Sequence, residues 1–244
     1  GNILFSDEDL KSALEFDKGD IYSKMKLDMS LYNNLSTLYM DKGYLRANIV
    51  PEEQMAGSDT VNFVFKITEG TRSRVRRIDF TGNTRTGEKV LRREMDIFPG
   101  DVFNKTKILR SQRNAMILNY FENVIPDMKP VNEKEVDLIF SVKEKPTEQA
   151  QTSIAYSQSD GFIGSVGLVF NNFSFEHPFT QGDGQQLSTN IEFGKDYYKY
   201  SISAEDPWLY DTRTLIGISA NYQKRDDSYS DTEIISGILK LGRR

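Results

Sequence analysis

The sequence predicts two tandem α+β repeats, each ordered β-α-α-β-β, followed by an antiparallel sheet of about six strands. Three observations carry that expectation. A shift of 81 residues lays the first part of the chain on the second, and apolar residues there recur at helical spacing. Beyond Lys145-Pro146 the period changes to strict alternation.

The shift aligns Gly1-Asn2 with Gly82-Asn83, Leu10 with Leu91, Gly19-Asp20 with Gly100-Asp101 and Lys24 with Lys105. The same register holds for Ser30 with Ser111, Asn33 with Asn114 and Tyr39 with Tyr120. After a loop six residues shorter in the second copy the shift is 75, placing Val61, Phe63, Phe65 and Ile67 on Val136, Leu138, Phe140 and Val142. A register held over so long a stretch identifies a duplicated supersecondary unit.

In the first copy, Ser6 followed by Asp9 has the spacing of a capping box. It opens a short helix with Leu10 and Leu14 on one face, which Gly19 is expected to end. A second helix is expected after Ser23, with Leu27, Leu31, Leu35, Leu38 and Tyr39 as its buried stripe and Gly43 as its stop. Two strands follow, residues 44–50 and 61–67, the latter alternating large apolar residues with Asn62, Val64 and Lys66. The second copy also shows a leading strand, residues 75–80, ending in the turn Thr81-Gly82-Asn83. The first copy begins at the Gly-Asn that should follow such a strand, so the parent protein is expected to extend upstream. Glu69-Gly70 leads almost directly into Arg74-Val75, and so short a linker predicts that the copies stack as semi-rigid neighbours.

In the remainder, residues 151–158 and 162–173 flank Ser159-Asp160-Gly161, a hairpin signal. Leu187, Thr189, Ile191 and Phe193 then alternate with Gln186, Ser188, Asn190 and Glu192. Tyr198, Tyr200, Ile202 and Ala204 alternate with Lys199, Ser201, Ser203 and Glu205, and Thr214, Ile216, Ile218, Ala220 and Tyr222 with Gly217, Ser219 and Asn221. Residues 233–241 make a less regular sixth strand. These lengths suit a tilted membrane strand, which needs about 9 to 11 residues. Tyr197, Tyr198, Trp208 and Tyr210 sit near strand ends, where aromatic girdles lie. The alternation is equally compatible with a soluble antiparallel sheet that has one solvated face. Six strands cannot close around a lumen, since the smallest membrane barrels have about eight.

Composition excludes several functions. A net charge of −5 provides no basic excess for a phosphate backbone, so no nucleic-acid partner is expected. Without cysteine there is no disulfide, no thiolate zinc site and no cysteine nucleophile. No apolar run reaches the length of a transmembrane helix. The single histidine, His177, precedes Pro178 in an expected turn without partners for ligation or base catalysis. The carboxylate pairs Glu52-Glu53 and Asp226-Asp227 read as solvated loop residues. Neither an enzyme, nor a cofactor, nor a metal site is expected.

The segments Val75-Arg76-Arg77-Ile78-Asp79-Phe80-Thr81-Gly82-Asn83, Val90-Leu91-Arg92-Arg93-Glu94-Met95 and Gly100-Asp101-Val102-Phe103 resemble the opening of the last POTRA domain in the BamA family of outer-membrane assembly factors. Tyr120-Phe121, Val136-Asp137-Leu138 and Val142-Lys143-Glu144-Lys145 resemble its close. Gly161 through Asn172 and the turn Asp206-Pro207-Trp208 resemble that family's first barrel hairpins. The resemblance implies that residues 1–70 are the penultimate POTRA domain without its first strand and residues 71–146 the last, membrane-proximal one. Residues 147–244 would then be the first strands of an incomplete transmembrane β-barrel. It further implies a bacterial outer-membrane location with the POTRA domains in the periplasm. The implied partners are unfolded outer-membrane protein clients, accessory outer-membrane lipoproteins of the assembly complex, and the lipid bilayer.

The same resemblance assigns sites. The first barrel strand, Gln151, Thr152, Ser153, Ile154, Ala155, Tyr156 and Ser157, would pair weakly and template a client strand, and its few large apolar side chains suit that role. The second strand of each repeat would be an exposed edge open to β-augmentation. In the first repeat that is Tyr44, Leu45, Arg46, Ala47, Asn48, Ile49 and Val50, and in the second Asn123, Val124 and Ile125, continuing to Lys129. Arg92, Arg93 and Glu94 resemble the charged helix face near an accessory-lipoprotein contact, and read equally well as an ordinary solvated face. Lys143, Glu144, Lys145 and Pro146 mark the junction, either setting the arm's orientation or forming a stiff linker. The expected function is folding and inserting outer-membrane proteins as the central component of their assembly machinery. The alternatives are a two-partner-type outer-membrane translocator and a soluble periplasmic interaction module.

Overall fold

The computed structural model describes residues 2–158, 160–178, 180–226 and 230–243. The chain divides into two compact units, one of residues 1–81, 95–115 and 124–141, the other of residues 82–94, 116–123 and 142–244.

In the first unit, α1 (Asp7–Ser12) opens on the expected capping box: Ser6 Oγ accepts the Asp9 N–H, and the Asp9 carboxylate accepts the Ser6 N–H at 3.2 Å. The helix is shorter than its apolar spacing suggests. Glu15 N–H donates to Ser30 Oγ at 2.8 Å instead of extending the helical ladder, so Leu14 lies beyond the helix and Gly19 (φ 100°) serves a later turn. The second helix begins at Ser23 as expected, but in three parts. These are α2 (Lys24–Met29), a π-turn (Ser30–Leu35) and α3 (Ser36–Asp41). Ser30 and Ser36 side chains donate to the Lys26 and Leu31 carbonyls, a local competition that loosens the regular ladder there. Leu27, Leu31, Leu35 and Tyr39 are buried, and Gly43 (φ 93°) follows the helix end.

The next strand departs from the expected residues. Tyr44, Leu45, Arg46 and Ala47 are not strand. Tyr44 N–H donates to the Tyr39 carbonyl at 2.9 Å and Ala47 N–H to the Tyr44 carbonyl at 3.1 Å, so the segment caps the helix and turns. The edge-on Tyr39–Tyr44 ring contact holds it there. The strand is β1 (Asn48–Met55), antiparallel to β2 (Val61–Thr68), with Pro51 opposite Phe65. Phe63, Phe65 and Ile67 of β2 pack on the helical stripe.

The second repeat supplies β3 (Arg74–Thr81), α4 (Glu88–Arg92), α5 (Lys105–Ile117), β4 (Phe121–Pro130) and β5 (Glu135–Glu144). Its sheet has the order β3-β5-β4, with β3 parallel to β5. Val75, Ile97, Phe103, Leu138 and Phe140 are among the buried residues of this unit. The stacking expected from the short linker is visible within it. Ser73 N–H donates to the Gly43 carbonyl at 2.7 Å, and the Asp41 carboxylate accepts the N–H and hydroxyl of Thr106 at 2.8 and 2.6 Å.

The second unit is dominated by an open antiparallel sheet of β6 (Glu148–Ser157), β7 (Gly161–Phe173), β8 (Gln185–Gly194), β9 (Tyr197–Asp206), β10 (Thr214–Asp226) and β11 (Asp231–Arg243), in sequential order. Ser159 of the expected hairpin turn and Asp227 of the carboxylate pair lie outside the described residues. The registers separate the two faces row by row. Thr152, Val166, Ile191, Tyr200, Tyr222 and Ile235 lie side by side across the sheet, as do Ala150, Leu168, Thr189, Ile202, Ala220 and Gly237. One residue along, on the other face, the row is Gln151, Gly167, Asn190, Ser201, Asn221 and Ser236. In these rows one face is an apolar band and the other carries small and hydroxyl or amide groups, with the ion pairs Glu192–Lys199 and Glu205–Lys240 and the side chain of Ile238 also on it, a division of the kind a membrane barrel has. No helix among the described residues is long and apolar enough to cross a membrane.

Candidate functional site: an open strand edge and its anchorage

All seven residues expected on the first barrel strand lie on β6, and β6 is an edge of the sheet. Asn171 N–H donates to the Thr147 carbonyl at 3.3 Å in the same register that pairs β6 with β7. Backbone direction alternates along a strand. Residues 149, 151, 153, 155 and 157 therefore address β7, while Ala150, Thr152, Ile154 and Tyr156 turn their N–H and C=O groups to the free edge. Gly167, Gly164 and Gly161 of β7 stand opposite Gln151, Ile154 and Ser157, while Tyr156 meets the Phe162 ring edge-on at 5.2 Å and Ser153 shares a 2.7 Å hydrogen bond with Ser165. Cross-strand side-chain pairs are a main source of sheet stability, so at the three glycine positions the strand is held by its backbone ladder alone. The Phe193 ring of β8 lies over Gly164, where an added Cβ would sit 2.9 Å from it. Ile154 is 82% and Tyr156 69% exposed.

Among the repeat-edge residues, Asn48, Ile49 and Val50 are on β1, and Asn123, Val124 and Ile125 are on β4, an edge of the three-stranded sheet.

The start of β6 is anchored by Glu144. Its carboxylate accepts the backbone N–H groups of Thr84, Arg85 and Thr86 at 3.0, 3.0 and 2.6 Å and the Thr84 hydroxyl at 3.0 Å. Burial pushes the Glu144 carboxyl up, but the hydrogen bonds together outweigh it and hold the group below the ordinary glutamate value. Arg85 in turn pairs with Glu148, the first residue of β6, at 2.5 Å. Lys143 and Lys145 bind Glu122 and Asn119 at 2.7 and 2.5 Å.

The connection between β7 and β8 folds back onto the same loop. Gly182 N–H donates to the Arg85 carbonyl at 2.7 Å, and Gly87 N–H to the Gly182 carbonyl at 2.8 Å. Asn172 donates to Thr86 Oγ1 at 2.9 Å and accepts the Gly184 N–H at 2.9 Å. The buried Asp183 accepts from Ser174 Oγ at 2.5 Å and pairs with Lys89 at 3.2 Å. Its carbonyl accepts from Arg93 at 2.8 Å, and the Arg93 guanidinium lies 5.3 Å from the Trp208 ring centroid.

This geometry corrects the expected charged face Arg92-Arg93-Glu94. Glu94 is buried, and Arg93 points into the packed connection, where burial lowers its affinity for a proton against the opposing pull of Tyr120, Glu94, Asp206 and Asp211. Arg92 alone remains at the surface, paired with Glu88 one helical turn away. Side-chain spacing does not mark Asp183, Asn172 or the Thr84–Thr86 loop as part of this packing. The doubled spacing Glu88/Arg92 and Lys89/Arg93 was the available signal, since it gives α4 two differently charged faces.

Trp208 is the sole tryptophan and is buried, which makes this packing measurable. Arg93→Ala is expected to shift Trp208 fluorescence to longer wavelength and to cost about 1–2 kcal/mol of local stability, with Arg93→Lys intermediate. An unchanged emission maximum in Arg93→Ala would exclude the packing role.

Comparison with known proteins fits this architecture. The POTRA family, surface antigen variable number repeat, matches residues 1–70 and 73–145. The outer membrane protein assembly factor BamA of Neorickettsia risticii is 26% identical over 90% of this chain and 29% of its own length. BamA of Neisseria meningitidis serogroup B is 27% identical over 88% of this chain and 26% of its own length. The chain therefore spans well under half the length of these relatives. The crystal structure of Haemophilus ducreyi BamA lacking POTRA domains 1-3 shares the fold, with a TM-score of 0.80 at 22% identity over 96% of this chain and 44% of that one. Carrying two POTRA repeats ahead of an open, one-sidedly apolar sheet, the chain belongs to the POTRA family.

Proposed function

We propose that this chain is the membrane-proximal part of an outer-membrane protein assembly factor, which folds and inserts unfolded outer-membrane proteins by adding their strands to its exposed edges. The observation that carries the reading is β6: an edge whose backbone groups at Ala150, Thr152, Ile154 and Tyr156 face outward, on a strand that meets glycine at three positions of its neighbour. Backbone addition makes little demand on client sequence, which suits a protein with many clients. The names of the relatives point the same way.

In this reading, residues 1–70 and 71–146 are POTRA domains in the periplasm and residues 147–244 enter the outer membrane. The apolar rows of the sheet face lipid and the polar rows a wet lumen. The connections that carry Asp183 and Trp208, which pack on α4 and Arg93, lie on the periplasmic side. Arg92 with Glu88 is the surface left on α4 for an accessory outer-membrane lipoprotein. The work is done by strand pairing and needs no catalytic group. The test is depletion of the full-length protein followed by assay of folded outer-membrane proteins. Broad loss of folded barrels supports assembly, and loss of a single exported substrate with barrels intact refutes it in favour of a translocator.

A further inference from the structure

Both repeats carry a proline at the same step of their outer strand. The 75-residue shift that relates these strands lays Pro51 on Pro126. The hairpin ends show which side of the ladder each addresses. Ala56 N–H donates to the Thr60 carbonyl at 2.8 Å, continuing the register that pairs Pro51 with Phe65. By alternation, Ile49, Pro51, Glu53 and Met55 then turn their backbone groups away from β2, to the free edge. In β4, Val131 N–H donates to the Glu135 carbonyl at 3.0 Å, which by the same alternation turns Val124, Pro126, Met128 and Pro130 to its free edge. Each proline leaves its own ladder intact and deletes a donor from the edge.

Beyond this shared step the two edges differ. Met55 keeps a donor where the second repeat has Pro130. The Val124 carbonyl is already occupied by Gln112 Nε2 at 2.7 Å, and the 81-residue shift places Leu31, which cannot donate, at the matching position of the first repeat.

We infer that β4 is a closed edge and that an extended client segment is received at the repeats by β1, over Glu53 and Met55. The inference rests on the strand-addition reading above. The occupant is an extended polypeptide whose carbonyls accept from the N–H groups of Glu53 and Met55 and whose N–H groups donate to the neighbouring carbonyls. A segment laid along either edge strands one carbonyl, at Pro51 or at Pro126, but along β4 it strands a second opposite Pro130, where a buried unpaired acceptor is costly. Edge prolines are a known means of discouraging strand addition, and here they select between two edges of one chain.

The test uses the full-length protein in detergent, a fluorescent peptide of about ten residues alternating valine and threonine, and a photo-crosslinking residue at Gln54 or at the equivalent Lys129. Crosslinking at Gln54 is expected to exceed that at Lys129 by about fivefold for each hydrogen bond the second edge lacks. Pro130→Val, which leaves Pro126 as the counterpart of Pro51, is expected to raise Lys129 towards the Gln54 level. Met55→Pro is expected to lower the yield at Gln54 and, together with the unaltered chain, keeps the comparison decisive should the valine variant fold poorly. Equal yields at Gln54 and Lys129 in the unaltered chain overturn the inference while strand addition stands. Absence of crosslinks at both positions in every variant overturns strand addition at the repeats, and the inference with it.

Discussion

Ile154→Pro is expected to slow assembly of outer-membrane clients by about tenfold or more, the scale of one lost hydrogen bond plus the clash of the ring with an arriving strand. Ile154→Ala is expected to stay within about twofold, because it trims a side chain and leaves the ladder groups in place. The contrast follows from backbone direction. Ile154 addresses the free edge, so proline there removes a donor that only a client strand would use and leaves the β6–β7 ladder whole. Ala155→Pro is the control, since Ala155 addresses β7 and its N–H holds the hairpin together. The measurement is the rate at which a client barrel acquires its folded gel mobility in liposomes carrying the full-length protein. Equal rates for Ile154→Pro and Ile154→Ala would remove β6 from the mechanism.

The second large effect is expected at Glu144. Glu144→Ala takes the acceptor from the N–H groups of Arg85 and Thr86 and from the Thr84 hydroxyl, while Thr84 N–H keeps only the Gly82 carbonyl at 3.1 Å. Water can reach this half-buried loop, so the cost is less than the full penalty for buried groups and comes to about 2–3 kcal/mol. Amide exchange at Thr84, Arg85 and Thr86 should accelerate by about a hundredfold, the equivalent of that energy. Glu144→Gln keeps one accepting oxygen and should fall between.

The same site carries a pH dependence of definite sign. The folded-state pKa of Glu144 lies below its unfolded value, so its contribution is fully present above the ordinary glutamate range. It is lost as pH falls through the lowered folded value. Protection of the three amides should therefore be flat near neutrality and collapse in acid, and Glu144→Gln should abolish that dependence. Acid-insensitive protection in the unaltered chain would show that the loop is held by other contacts.

Much of this was readable along the chain. The capping box at Ser6 and Asp9, the stripe from Leu27 to Tyr39 and the alternating strands after residue 150 are local patterns, and each appears where its spacing puts it. The first outer strand was misplaced because Tyr44 and Leu45 have strand-like side chains, whereas the Tyr44 backbone is claimed by the Tyr39 carbonyl. Arg93 departs from the expected solvated face for a related reason. A charged residue on a short helix looks solvated until a distant connection, here Asp183 and Trp208, folds over it.

By itself the sequence determined the duplication, the change of period after Lys145-Pro146 and the identity of the apolar face, because side-chain periodicity is written residue by residue. Only the tertiary structure decided which backbone groups are spare. The direction of an N–H group depends on the partner strand and its register, which distant residues supply and side-chain patterns do not encode. Pro51, Pro126 and Ile154 were visible in the chain, but whether proline is tolerated or disabling at such a position depends on which side of a ladder it faces.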